Sequence, residues 1–128
     1  MPTILIVDDS KTARGVIRIR LGTVGYASAE ILEAGNGTEA LEIMDKRSVD
    51  VLITDVEMPV MDGLVLIAKM KSKPLLKLIP IIVVSAMEDR QKQELFEKGV
   101  NRILFKPAFE PALKEAVGAC LAAKGNPG

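Results

Sequence analysis

Histidine and tryptophan are absent from this 128-residue chain, and cysteine occurs once. Without histidine there is no imidazole to serve as a general base and none to ligate a metal. A lone cysteine, Cys120, excludes an internal disulfide and fits a reducing cytosol; it reads as a small core residue. Aromatic residues make up only 3% of the chain, so the core has to be aliphatic. Neither sign of charge is in excess, since Lys+Arg and Asp+Glu both number 17. Binding to nucleic acid or to an anionic membrane through bulk charge is therefore not expected. No apolar run approaches the roughly 18 residues of a membrane span. The N-terminus has neither the basic nor the long apolar region of a signal peptide.

What is present is apolar and regularly punctuated. Hydrophobic residues are 48% of the chain, and a domain of this length buries roughly two-thirds of its unfolded surface. Thr3 to Val7 is a continuous β-rich run, which reads as a strand covered on both faces. Ala13, Val16, Ile17, Leu21 and Val24 then recur at helical spacing, interleaved with Arg14, Arg18 and Arg20, and Gly25 ends that helix. The arginines read as a solvated face. A weaker strand covers Ala29 to Ala34, where Glu30 and Glu33 suggest a sheet edge. Asn36 with Glu39 resembles a capping box for a second helix, with Ala40, Leu41 and Met44 as its stripe.

The third strand, Val51 to Thr54, ends at Asp55, and Met58-Pro59 takes the chain out of the sheet. The third helix is expected over Gly63 to Lys73, with Leu64, Ile67 and Ala68 inward and Pro74 as its stop. Ile81 to Val84 is the fourth strand, stopping at Ser85-Ala86. A charged fourth helix follows, about Asp89 to Lys98, with apolar area from Leu95 and Phe96 only; it should be the least firmly held. Arg102 to Phe105 is the fifth strand. The fifth helix has Pro111 in its first turn and a stripe of Leu113, Ala116, Val117, Cys120 and Leu121. Strand and helix alternate five times. That pattern predicts an α/β fold: a flavodoxin-like, doubly wound (βα)5 sandwich with a parallel sheet in order 2-1-3-4-5. Residues 1–123 form the domain, and 124–128 read as a flexible tail or the start of a linker.

Chemistry collects just past the strands: Asp8 and Asp9 after the first, Asp55 after the third, Ser85 after the fourth, Lys106 after the fifth. In this arrangement the order of the strands reverses between strands 1 and 3, and open α/β sheets bind ligands outside the carboxyl ends of the strands at that point. Asp8, Asp9 and Asp55 should lie within a few ångströms of each other, with Ser85 and Lys106 beyond. Clustered carboxylates call for a cation or a proton, and an oxygen-only donor set suits Mg²⁺. Lys106 and Ser85 could each hold a phosphate oxygen. The set is suited to holding a phosphoryl group, and Asp55, in the middle, is the best-placed nucleophile for an acyl phosphate.

The stretches ILIVDDS (4–10), ITDVEMPVMDG (53–63), IIVVSA (81–86) and ILFKP (103–107) resemble, in order and spacing, the four signatures of response-regulator receiver domains of two-component signalling. The resemblance covers about residues 3–122. It implies that Asp55 is the phosphoacceptor, that Asp9 binds Mg²⁺ directly and Asp8 largely through water, and that Glu57 contributes its backbone carbonyl. It implies that Ser85 is the switch hydroxyl, that Lys106 is the family's lysine, and that Lys106-Pro107 is a cis peptide. Glu57 and Met87 occupy positions that, in the family the chain resembles, tune how fast water reaches the phosphoryl group. Ile103 stands where the family commonly has Tyr or Phe, so the aromatic switch residue is missing; Phe105 shares its strand face by alternation. The segment between Gly25 and Ala34 is about two residues longer than usual.

The implied function is a cytoplasmic phosphoacceptor, not a classical enzyme, although it would assist its own phosphorylation and dephosphorylation. Its phosphoryl donor would be a sensor histidine kinase or a histidine phosphotransfer protein. Its output would be an unknown protein or fused domain contacting the face of helix 4, strand 5 and helix 5, with no nucleic acid or membrane partner. One alternative is a receiver-like interaction module that works without phosphorylation. Another is an Mg²⁺-dependent phosphatase working through Asp55, which would want a second positioned acid and a substrate cap that the sequence does not show. The chain would be a stand-alone regulator or a receiver from a longer protein.

Overall fold

The structure, a computed structural model, describes residues 2–56, 58, 61–85, 92–105 and 110–123, with Ser85, Lys92 and Ala123 described by backbone alone. The strands are β1 (Thr3–Val7), β2 (Glu30–Ala34), β3 (Val51–Thr54), β4 (Ile81–Ser85) and β5 (Arg102–Phe105). They form one parallel sheet in the order β2-β1-β3-β4-β5, as the alternation implies. The helices are α1 (Lys11–Leu21), α2 (Gly37–Lys46), α3 (Gly63–Lys71), α4 (Lys92–Glu97) and α5 (Glu110–Ala123).

Along the three inner strands, β1, β3 and β4, side chains point to both faces of the sheet and the described ones are almost all buried, whereas β2 and β5 at the edges are partly exposed. Leu5, Val7, Leu52, Ile81 and Val83 pack with Ala40 and Met44 of α2, Leu66, Ile67 and Met70 of α3 and Leu95 of α4. Ile4, Ile6, Val51, Ile53, Ile82 and Val84 point the other way, onto Ile17 and Leu21 of α1 and Leu113, Ala116, Val117, Cys120 and Leu121 of α5. Alternation along a strand thus splits each apolar run between two cores, which is why these runs are uninterrupted by polar residues. Cys120 sits in the second core, and burial pushes its thiol up to about 11.

The expected edge strand is an edge. Its acids are occupied: Glu33 pairs with Arg14 at 3.0 Å and Arg18 at 2.9 Å, while Arg47 bonds Glu30 and holds its carboxyl below the ordinary range. Asn36 caps α2, its Oδ1 accepting the Glu39 N–H at 2.9 Å, and Glu39 Oε1 accepts from Gly35 N–H at 3.2 Å. After α1 the chain runs into a wider turn, Gly22–Tyr26, in which Gly25 has φ of 110°. This left-handed conformation is open to glycine, and the helix ends there.

Four details differ from the sequence pattern. The buried stripe of α3 is Gly63, Leu66, Ile67 and Met70, not Leu64, Ile67 and Ala68; Leu64 is half-buried and Ala68 exposed. The helix is apolar around most of its girth, so two stripes compete, and the sheet takes the one with more side-chain area. Helix α3 also stops at Lys71, ahead of Lys73, with Ser72 as its cap, Ser72 Oγ donating to the Lys69 carbonyl at 2.7 Å. In α1, Val16 faces solvent while Arg14 lies against the sheet edge. In α4, Leu95 is buried but Phe96 is largely exposed. The expected start of that helix, the loop after Ser85 including Met87, and the tail 124–128 lie outside the described residues.

One glycine is required by close approach. The Gly63 N–H donates to the Val56 carbonyl at 2.7 Å. A Cβ at Gly63 would meet the Asp55 carbonyl oxygen and lie 2.8 Å from Val56 Cα, both backbone atoms that cannot swing away. Gly63→Ala should therefore destabilise the protein by about 2 kcal/mol or more. Urea unfolding tests this, and a loss below about 0.5 kcal/mol would show that α3 shifts without strain.

Candidate functional site

Strand register brings the acids together. Val7 of β1 stands opposite Thr54 of β3, so Asp8 and Asp55 leave the sheet side by side, on strands about 4.8 Å apart. Both are still tied to the ladder by backbone. Asp55 N–H donates to the Val7 carbonyl at 3.0 Å, and Asp8 N–H donates to the Ala34 carbonyl at 3.1 Å. One carboxylate oxygen from each of Asp8, Asp9 and Asp55 lies within 4.8 Å of the others. Asp8 is 2% exposed and Asp55 8%, whereas Asp9 is open to solvent.

Short local bonds hold the pocket in shape. Ser10 N–H donates to Asp8 Oδ1 at 2.9 Å, and Ser10 Oγ caps α1 by accepting from Ala13 N–H at 3.1 Å. Val56 N–H donates to Asp55 Oδ1 at 2.6 Å, and the buried Thr54 hydroxyl donates to the Asp55 carbonyl at 2.8 Å. Arg14 Nη1 donates to the Asp8 carbonyl at 2.6 Å. Asp62 caps α3 through Val65 N–H at 2.9 Å, setting that helix directly behind Asp55.

Asp8, Asp9 and Asp55 thus converge as the sequence implies. The Ser85 backbone ends β4 on the same carboxyl edge, opposite Phe105 of β5. The Ser85 side chain lies outside the described residues, as do Glu57, Lys106 and the Lys106-Pro107 peptide. Ile103 packs into the core shared by α2, α3 and α4, and Phe105 is partly exposed. Three residues beside the acids were not legible as part of the site: Thr54, Gly63 and Arg14. Asp62-Gly63 at a helix start was a usable signal for a close backbone approach. Arg14 had none, because its partner Glu33 is 19 positions away.

A profile of the response regulator receiver domain matches residues 4–118. The chain belongs to that family. The receiver is 39% identical to the chemotaxis protein CheY1 of Helicobacter pylori, across 92% of this chain and 95% of CheY1. It is 33% identical to the autoinducer 1 sensor kinase/phosphatase LuxN of Vibrio campbellii, covering 91% of this chain but 13% of LuxN. Among solved structures it superposes on the signal receiver domain of a signal transduction histidine kinase from Syntrophus aciditrophicus. The TM-score is 0.84 at 31% identity, covering 95% of this chain and 91% of that one. The relatives include a protein about as long as this one and a receiver that is one part of a far larger protein. No helix among the described residues is long and apolar enough to cross a membrane.

The receiver's donor set fits a hard divalent cation: three oxygens clustered within 4.8 Å, one of the acids open to water. At such a distance the carboxylates repel one another, more strongly between the buried Asp8 and Asp55 than toward the exposed Asp9. Asp9→Asn should relieve part of this and raise metal-free stability by about 1 kcal/mol. The check is the urea midpoint in EDTA, and an unchanged or lower midpoint would show that the protein's own cations already neutralise the cluster.

Proposed function

We propose that this receiver accepts a phosphoryl group from a histidine kinase, or a histidine phosphotransfer protein, onto Asp55. The observation that carries the reading is the convergence of Asp8, Asp9 and Asp55 at the tips of β1 and β3, with Asp55 held by backbone on both sides. An Asp55 carboxylate oxygen attacks phosphorus as the bond from phosphorus to the donor's imidazole nitrogen breaks. The electron pair leaves with the imidazole and an acyl phosphate remains on Asp55. Asp8, Asp9, Asp55 and the Glu57 carbonyl would hold Mg²⁺, which neutralises charge on the phosphoryl oxygens when bound. Ser85 and Lys106 would take the remaining oxygens. Such a transfer needs positioning and charge complementarity more than proton transfer, so a chain without histidine is equipped for it.

The output would pass through α4, β5 and α5. Two of the chain's few aromatics, Phe96 on α4 and Phe105 on β5, are partly exposed there, and exposed aromatics are typical anchors of protein contacts. The domain would comprise residues 1–123, with 124–128 a tail or the start of a linker, and a cytoplasmic setting fits the buried, free Cys120.

Incubation with acetyl phosphate and Mg²⁺, followed by intact mass measurement, should show a gain of one phosphoryl group. The gain should vanish in Asp55→Ala and without Mg²⁺. No gain in the wild-type protein would favour an interaction module that works without phosphorylation, and sustained turnover of a small phosphate ester would favour a phosphatase.

A further inference from the structure

Arg14 looks in sequence like one of three arginines on a solvated helix face, yet its side chain is only 16% exposed, against 50% for Arg18. Its planar guanidinium is pinned at two points. Nε meets Glu33 Oε1 on β2 at 3.0 Å, and Nη1 meets the Asp8 carbonyl oxygen at 2.6 Å. That carbonyl belongs to the peptide joining Asp8 to Asp9. Because the peptide is planar, holding its oxygen sets ψ of Asp8 and φ of Asp9 together. Those two angles set how the Asp8 and Asp9 side chains are oriented relative to each other. The Asp8 N–H is held on the other side by Ala34 of β2, and Ser10 N–H holds Asp8 Oδ1.

We propose that Arg14, anchored by Glu33, is a positioning residue that orients the Asp8–Asp9 pair for divalent cation binding. The inference rests on the metal-binding reading of the cluster. It predicts a sign opposite to simple electrostatics. Removing a nearby positive charge should by itself tighten Mg²⁺ binding, whereas removing a clamp on the ligand-bearing peptide should weaken it, as loss of a metal site's outer support generally does. Arg18 is the internal control. It shares Glu33 at 2.9 Å and lies on the same helix, but its backbone contact is to the Ile31 carbonyl at 3.5 Å, away from the acids.

The test is calorimetric titration of Mg²⁺ at constant ionic strength into the wild-type protein, Arg14→Ala, Arg14→Lys and Arg18→Ala, with urea unfolding of each. Arg14→Ala is expected to bind Mg²⁺ about tenfold more weakly. Arg14→Lys keeps the charge but lacks the fork that reaches both partners, so it should be weakened about threefold or more. Arg18→Ala should stay within about twofold of wild type. Unchanged or tighter binding by Arg14→Ala would overturn the proposal, and so would equal weakening in Arg18→Ala, which would mean that strapping α1 to β2 is all that matters. If Arg14→Ala does not fold, Arg14→Lys decides by the same criterion: wild-type affinity overturns the proposal. A wild-type protein that binds no Mg²⁺ would overturn the metal reading itself and this inference with it.

Discussion

Three carboxylates held close together at the end of a parallel sheet are the constraint from which the rest of this receiver follows. Like charges at this separation repel, and the fold holds them there by backbone, through the ladder bonds of Asp8 and Asp55 and the register of Val7 with Thr54. The repulsion is not relieved by spreading the acids apart, because Asp8 and Asp55 directly follow adjacent strands and are tied to the sheet by their backbone N–H groups. A donor set arranged in this way fits a hard divalent cation. The two aliphatic cores above and below the sheet supply the rigidity that makes such an arrangement affordable.

Packing behind the acids is as important as the acids. Gly63 lets the first turn of α3 press against the Asp55–Val56 backbone, and Gly37 lets α2 approach the Met61 side chain in the loop that follows Asp55. On the other side of the sheet edge, Arg14 links β2 to the Asp8–Asp9 peptide. The edge strand is thus more than a border. Its Glu33 is joined to two arginines of α1, and one of these reaches the site.

Much of this was legible before any coordinates. Apolar strand runs, four of the five followed by a polar residue, implied a parallel sheet covered on both faces with its chemistry at one edge, and the α5 stripe from Leu113 to Leu121 is buried position for position. Helix α3 was misread because Gly-Leu-Val-Leu-Ile-Ala offers apolar residues to any direction, and periodicity cannot choose between two stripes when both are hydrophobic. Arg14 was misread for a different reason. An arginine in a helix carries no local mark of a partner 19 residues away, and only the pairing of β1 with β2 brings Glu33 within its reach.

Sequence alone determined the class of fold, the order of its elements and the acids at the strand tips, because these depend on short-range patterns: alternation, helical spacing, caps and proline stops. Tertiary structure decided which face of α3 is buried, which glycine is met closely by backbone and which arginine bonds the Asp8–Asp9 peptide. Those outcomes depend on what two distant segments present to each other once strand register is set, and no single segment carries that information.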